Sequence, residues 1–346
     1  MTSSYRGNRK YLKVILGIGI LLMMVKFYTW YQTNSNAVLS DALESILNIG
    51  TGFFALYSLY ISNTPKDKNH PYGHGKIEFV LAGIEGALIA MAGLFIIGKS
   101  GYNFFVPNEV TELELGVYLT VFSGGVNLIM GLILLKRSKK FSNLILESEA
   151  RHLLSDGITS VGLIVGLLLI LFTGYIWVDQ VIAIAIGVLI LSSGYKLIRT
   201  SIAGIMDEAD LKLIEEIIGK VNENRRDEWI DLHNFRVIKY GSKLHVDCHL
   251  TIPWYFNQRE AHREVTAFEV EVGRHCGDSV ELFVHADPCE PPSMCSMCAV
   301  KNCPHRQREK SEKVHWTVDN VTPNMKIHLQ HIKTLEKPDH TEGESP

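Results

Sequence analysis

Ser40-Asp41-Ala42-Leu43-Glu44-Ser45-Ile46-Leu47-Asn48 is the stretch on which the reading of this chain turns. It sets polar side chains inside a segment, residues 37–62, that is otherwise apolar enough to cross a bilayer. At helical spacing Asp41, Glu44 and Asn48 stand at i, i+3 and i+7 and share one face. An ionisable group at the centre of a membrane helix costs roughly 2.5 to 3.5 kcal/mol, so a bare pair of carboxylates would not persist there. They need a partner, and a cation is the obvious one.

The rest of the chain supplies the setting. It has 346 residues, 47% hydrophobic, with a formal net charge of −3, and these figures average two unlike halves. Apolar runs at Leu12–Trp30, Ala37–Ser62, Ile77–Ile97, Leu115–Leu135, Leu144–Phe172 and Trp177–Ile198 each approach or exceed the roughly 20 residues of a spanning helix. Arg6, Arg9 and Lys10 before the first run resemble the start of a signal peptide, but no small-residue cleavage site follows, so the run reads as a retained helix. Basic residues collect at Lys66 and Lys68, at Lys136, Arg137, Lys139 and Lys140, and at Lys196 and Arg199. By the positive-inside rule both termini are cytosolic, with a bacterial cytoplasmic membrane as the expected location. No domain carries a Lys/Arg excess, which excludes nucleic acid as a partner.

The expected fold class is an α-helical membrane protein: a six-helix transmembrane bundle over residues 1–200, a linker at 201–210, and a cytosolic α+β domain at 211–288. The domain reads as helix, strand, strand, helix, strand. Residues 244–250 alternate, with Leu244, Val246, Cys248 and Leu250 on one face and His245, Asp247 and His249 on the other. A Cys-rich segment occupies 289–305, and the charged tail at 306–346 is expected to be disordered.

Four groups could carry chemistry. Helix 5 places His152 and Asp156 one turn apart, and an antiparallel helix 2 would bring Glu44 and Asn48 to them. One imidazole and three oxygen-bearing groups suit a borderline divalent ion such as Zn²⁺, although the same side chains could serve as interhelical hydrogen-bonding glue. The loop Asp67-Lys68-Asn69-His70-Pro71-Tyr72-Gly73-His74-Gly75-Lys76 reads equally as a metal-binding turn or an ordinary hydrophilic one. In the cytosolic domain His245 and His249 lie on one strand while His285 and Asp287 end another, and adjacent strands bring such residues together, either as a metal site or as a solvated surface. Finally, Cys289-x5-Cys295-x2-Cys298-x4-Cys303-Pro304-His305 has the spacing of a compact soft-metal site, the alternative being unliganded reduced thiols. Isolated Asp179 reads as facing the bundle interior, and Lys26 as snorkelling to the interface.

His70-Pro71-Tyr72-Gly73-His74-Gly75-Lys76, followed by Glu78, closely resembles the signature after the second helix in the cation diffusion facilitator family of metal transporters. The resemblance covers most of the first 290 residues. It extends to Ser40–Asn48, to His152-x3-Asp156, to Gly204-Ile205-Met206-Asp207, and to His249, His262 and His285-Ala286-Asp287.

The resemblance implies a ferredoxin-like cytosolic domain that pairs with a second copy, and a protein that is not an enzyme. It implies a transport site of Glu44, Asn48, His152 and Asp156, an interfacial site of Asp67, His70 and His74, and a cytosolic metal site of His249, His262, His285 and Asp287. Glu44 stands where the family usually has His or Asp, and Asn48 where it usually has Asp. The Cys-rich segment, with Cys289, Cys295, Cys298 and Cys303, has no counterpart in the usual pattern. The expected function is export of a divalent transition metal from the cytosol in exchange for protons. Zn²⁺ is favoured, as substrate and as bound ligand, with Fe²⁺, Mn²⁺ or Co²⁺ as alternatives. A metal sensor without transport and an intramembrane metalloenzyme are the competing classes.

Overall fold

The computed structural model describes residues 3–62, 64–106, 109–141, 144–241, 243–276, 280–310 and 314–330. Within its helices the side chains of 3–15, 51–52, 55–56, 59, 137–141, 144–149 and 151–152 lie outside that description. The chain divides into two compact units, one built from 1–60 and 78–202, the other from 61–77 and 203–346.

Among the described residues the first unit is six long helices: α1 (Ser3–Thr33), α2 (Asn36–Ser62), α3 (Ile77–Phe105), α4 (Leu113–Phe141), α5 (Leu144–Thr173) and α6 (Trp177–Ile205). At about 1.5 Å per residue, each is long enough to span the roughly 30 Å hydrocarbon layer. Among the described residues α3, α4, α5 and α6 also carry an apolar stretch sufficient for it. α2 begins at a sharp corner, Asn34 having φ +53°, and its exposed N-terminal amides are capped from another helix. Asp179 on α6 accepts from the Asn36 amide at 2.7 Å, the Ala37 amide at 3.3 Å and the Ser35 hydroxyl at 2.5 Å. The fully buried Asp179 is thus fixed by the free donors and positive end of the α2 dipole.

α3 and α6 pack through glycine. A Cβ at Gly93 would fall 2.8 Å from the Leu191 amide nitrogen, and one at Gly194 would fall 2.6 Å from that of Ala90. Small residues are what let two membrane helices bring their backbones this close. The apolar side chains around the contact, Ile96, Ala183 and Ile190, continue into a buried cluster with Val38, Leu163 and Leu167.

The second unit orders its elements as α7 (Leu211–Glu223), β1 (Asp231–Tyr240), β2 (Lys243–Ile252), α8 (Gln258–Cys276) and β3 (Val280–Pro288). Asp210 caps α7, accepting from the Leu213 amide at 3.1 Å. β1 and β2 are antiparallel, and β3 joins β2 in parallel, giving a sheet of order β1-β2-β3. Its apolar face, with Leu232, Val237, Val246, Cys248 and Leu250, packs on Ile214, Ile218 and Phe268 of the helices. His245 departs from the expected polar alternation, being buried as well.

Two features of this unit differ from the expectation. The turn 61–77 belongs to it, fastened by Lys66 to Glu281 at 2.7 Å and by Lys76 to Asp207 at 2.9 Å. Gly75 passes so near Tyr240 that a Cβ would stand 2.2 Å from its carbonyl oxygen.

The described part of the tail, 306–310 and 314–330, is also not a free chain. Trp316 (1% exposed), Val321 and Ile327 enter the core, with a short helix α9 (Val318–Val321) between them. Arg225 donates to the Val314 carbonyl at 2.5 Å and stacks its guanidinium 3.8 Å from the centre of the Trp316 ring. Asn222 brackets the Trp316 backbone with two further bonds. A few apolar residues among many charged ones suffice to fix the segment, which a composition average hides. Residues 331–346 lie outside the described chain.

Replacing Gly194 by Val should therefore lower the thermal stability of the detergent-solubilised protein, by about 1–3 kcal/mol for overpacking. The same change at Gly101, where a Cβ meets nothing within 4 Å, should leave it unchanged. Thermal unfolding followed by size-exclusion chromatography reads both.

Candidate metal centres

Inside the helical unit the polar residues of α2 are partitioned. Lys26 of α1 is not at the interface as expected but buried (3% exposed), its ammonium 2.8 Å from Asp41 Oδ1. The cation that Asp41 requires is thus built into the protein. Two turns on, the Asn48 amide donates to Asp156 Oδ2 of α5 at 3.2 Å, so the α2 and α5 polar faces meet. Glu44 lies within electrostatic reach of both Asp156 and Asp41. Lys26 thus pairs with Asp41 while also lying within electrostatic reach of Glu44 and Asp156. The backbone of His152 sits in α5 one turn before Asp156; its side chain lies outside the described residues.

The loop after α2 gathers Asp67, His70 and His74, whose ligand atoms lie within 4.8 Å of one another. Asp67 Oδ1 accepts from the amides of His70 (2.6 Å) and Asn69 (2.8 Å), which winds the turn around the carboxylate. Those bonds, led by that from the His70 backbone, favour the ionised carboxylate and hold its pKa below the usual carboxylate range. His70 and His74 stack at 4.4 Å, and His74 Nε2 stands 3.5 Å from Asp67 Oδ2. Beside the loop, burial pushes the His245 imidazole below its usual value, opposed by Glu281.

The sheet builds the third centre. A register slip between His233 and Arg236, with Asn234 at φ +52°, places His233 opposite His249, and the parallel register sets His285 beside His249. Three imidazoles therefore form one row across three strands. Asp287, two residues past His285, turns both oxygens toward the row. Oδ2 lies 3.1 Å from His249 Nδ1 and 3.4 Å from His233 Nε2, and Oδ1 lies 3.3 Å from His285 Nε2. His233, His249 and Asp287 form the second compact ligand group among the described residues. Buried Asp231 faces His233 Nδ1 at 3.1 Å, which favours the tautomer with that nitrogen protonated and Nε2 left to ligate.

His233 escaped the sequence reading, because only the bulge brings it into the row; Asp231-x-His233 on one strand was the available signal. His262 sits in the first turns of α8, and among the described residues no hydrogen bond or ion pair joins it to this cluster. Cys289, Cys295, Cys298 and Cys303 line one small cavity with His305, less tightly gathered than the two groups above.

The first three of these centres fall within a recognisable pair of domains. Residues 12–206 match the family model described as the cation efflux transmembrane domain, and residues 206–289 match the cation efflux protein cytoplasmic domain. The chain belongs to the cation diffusion facilitator family. Among its relatives is the uncharacterized transporter sll1263 of Synechocystis sp., 29% identical over 82% of this chain and 91% of that protein. The manganese efflux system protein MneP of Bacillus subtilis is 23% identical over 81% of this chain and 96% of its own length. The cadmium, cobalt and zinc/H(+)-K(+) antiporter of Bacillus velezensis is 25% identical over 77% and 85%.

Membership in the cation diffusion facilitator family makes this an integral membrane protein that exports divalent metal ions, a transporter rather than an enzyme. The metal is its cargo. The intramembrane metalloenzyme alternative is thereby set aside.

If Asp231 orients His233 as a ligand, Asp231→Asn should weaken Zn²⁺ binding to the cytosolic cluster by about 10–100-fold, and His233→Ala by at least as much. Calorimetric titration of the full-length protein, compared with His262→Ala, measures this.

Proposed function

We propose that the protein exchanges cytosolic Zn²⁺ for protons through a site formed by Glu44, Asn48, His152 and Asp156. The observation that carries this reading is the Asn48–Asp156 contact, which joins α2 to α5 at the level where Glu44 adds a second carboxylate. Only deprotonated groups ligate, so metal and protons compete for the same carboxylates and imidazole. Near-neutral pH on the cytosolic side favours metal loading, and protons entering from the other side displace it. Alternating access around a site near the membrane middle is the usual geometry for such carriers.

Support for proton exchange comes also from the Bacillus velezensis relative, whose name describes an antiporter. Both termini lie in the cytosol, in keeping with the loop charges. The sheet and its histidines form the domain through which two copies pair, and metal bound at His233, His249, His285 and Asp287 tightens that pair. Asp67, His70 and His74 hold a further ion beside it.

A second metal preference has its own observation. Asn48 contributes a neutral carboxamide where a second aspartate would make the site more anionic, and with Glu44 the set is oxygen-rich. Oxygen ligands favour Mn²⁺ or Fe²⁺ more than an imidazole- or thiolate-rich site does, and a manganese efflux protein is among the relatives.

Metal uptake into proteoliposomes under an imposed pH gradient tests both readings. Asp156→Ala should abolish flux, and undiminished flux in that variant would sink the proposed site. Asn48→Asp should raise the number of protons moved per ion and shift selectivity toward Zn²⁺ over Mn²⁺, read by running Zn²⁺, Mn²⁺, Fe²⁺, Co²⁺ and Cd²⁺ side by side.

A further inference from the structure

The chain does not end where the family's cytoplasmic domain ends. That match stops at residue 289, which is Cys289, and the described residues between β3 and α9 contain neither helix nor strand. Even so, Met294, Cys295, Met297 and Cys298 are buried there. An irregular segment has few backbone bonds of its own to hold it, so long ordered loops need a specific fastening. Among the described residues the cysteines form no disulfide that could provide it.

What the segment has is an arrangement of sulfur. Cys289 leaves the end of β3, while Cys295, Cys298 and Cys303 come from successive turns, and all four border a cavity of about 10 Å³ together with His305 and Trp254. That is the room of a single water-sized sphere, and its walls gather four thiols beside Met294, Pro291, His305 and Arg306.

The surrounding bonds position the sulfurs. The Arg306 guanidinium donates to the carbonyls of Cys295 (3.0 Å), Cys298 (3.2 Å) and Val300 (2.7 Å), winding the Cys295-x2-Cys298 turn around itself. Burial raises the Cys298 and Cys289 thiols above their usual range, opposed in part by the nearby backbone amides of Val300 and Trp254. The Tyr255 side chain lies beside Cys303. Amide donors directed at cysteine sulfur stabilise thiolates, and such outer partners fix the ligands of a metal centre.

We propose that Cys289, Cys295, Cys298 and Cys303 bind one Zn²⁺ as a closed, four-thiolate structural site that fastens residues 289–330 to the cytosolic domain. On binding, each thiol gives its proton to solvent and its sulfur closes on the ion at about 2.3 Å. Four protein ligands leave no open position, so this ion is resident rather than transported. His305, stacked on Trp254 at 4.7 Å and Tyr255 at 5.2 Å, forms part of the wall.

The test uses the full-length protein in detergent after dialysis against EDTA. The wild type should retain about one zinc per chain, measured by elemental analysis, and its zinc absorption fine structure should show sulfur neighbours at about 2.3 Å. Cobalt in place of zinc should give thiolate-to-metal charge-transfer bands. Cys298→Ser with Cys303→Ser should lose the ion and make the 306–330 segment more sensitive to protease, whereas Cys303→His should keep the ion. Retained zinc with only nitrogen and oxygen neighbours would overturn the proposal. So would a wild type that holds no zinc after dialysis, or a double serine variant that retains as much as the wild type. The spectroscopy on the wild type stands even if the serine variants fail to fold.

Discussion

Lys26 Nζ stands 2.8 Å from Asp41 Oδ1 with both side chains almost wholly buried, and this pair sets the terms for everything polar in the helical unit. Burying a lone charge is far more costly than burying a matched pair. The ammonium of α1 therefore satisfies the first carboxylate of α2 and ties these two helices at that level. Further along α2, Asn48 bonds Asp156 of α5, and Glu44 lies within electrostatic reach of Asp156.

Pairing between elements recurs in the cytosolic unit by different means. There the sheet register does the work, since residues at matching positions on neighbouring strands stand side by side. His233, His249 and His285 share one row, and Asp287 links them through both oxygens. Asp231 behind His233 supplies the outer partner that fixes the ring. The C-terminal extension borders this region too: the Asn234 amide at the bulge donates to the Pro323 carbonyl at 2.8 Å, and Lys326 pairs with Glu290 at 2.5 Å. A sulfur-held ion at one end of the extension and Trp316 at the other would restrain the β1 edge on which His233 sits.

Much of this was legible in the sequence because the signals are local. Apolar runs of membrane length, the period-2 alternation of β2 and the His70-x3-His74 spacing all express arrangements within one short stretch of chain. Other features depend on contacts between elements distant in sequence and carry no local signature. Lys26 looks like any interfacial lysine until α2 is placed beside α1. Asp179 caps a helix more than a hundred residues earlier in the chain. His233 joins its row only because a bulge changes which residue faces β2.

By itself, then, the sequence determined the number and order of the helices, the αββαβ order of the cytosolic domain, and most of the residue types that could meet a metal. These follow from periodicity and burial, which each segment encodes alone. The tertiary structure decided which carboxylate of α2 pairs with a buried lysine. It also decided that the charged tail folds back through Trp316, and that the turn after α2 joins the second unit. Such outcomes are set by pairwise distances across the fold, where a single buried partner changes the charge or the register that a linear reading assigns.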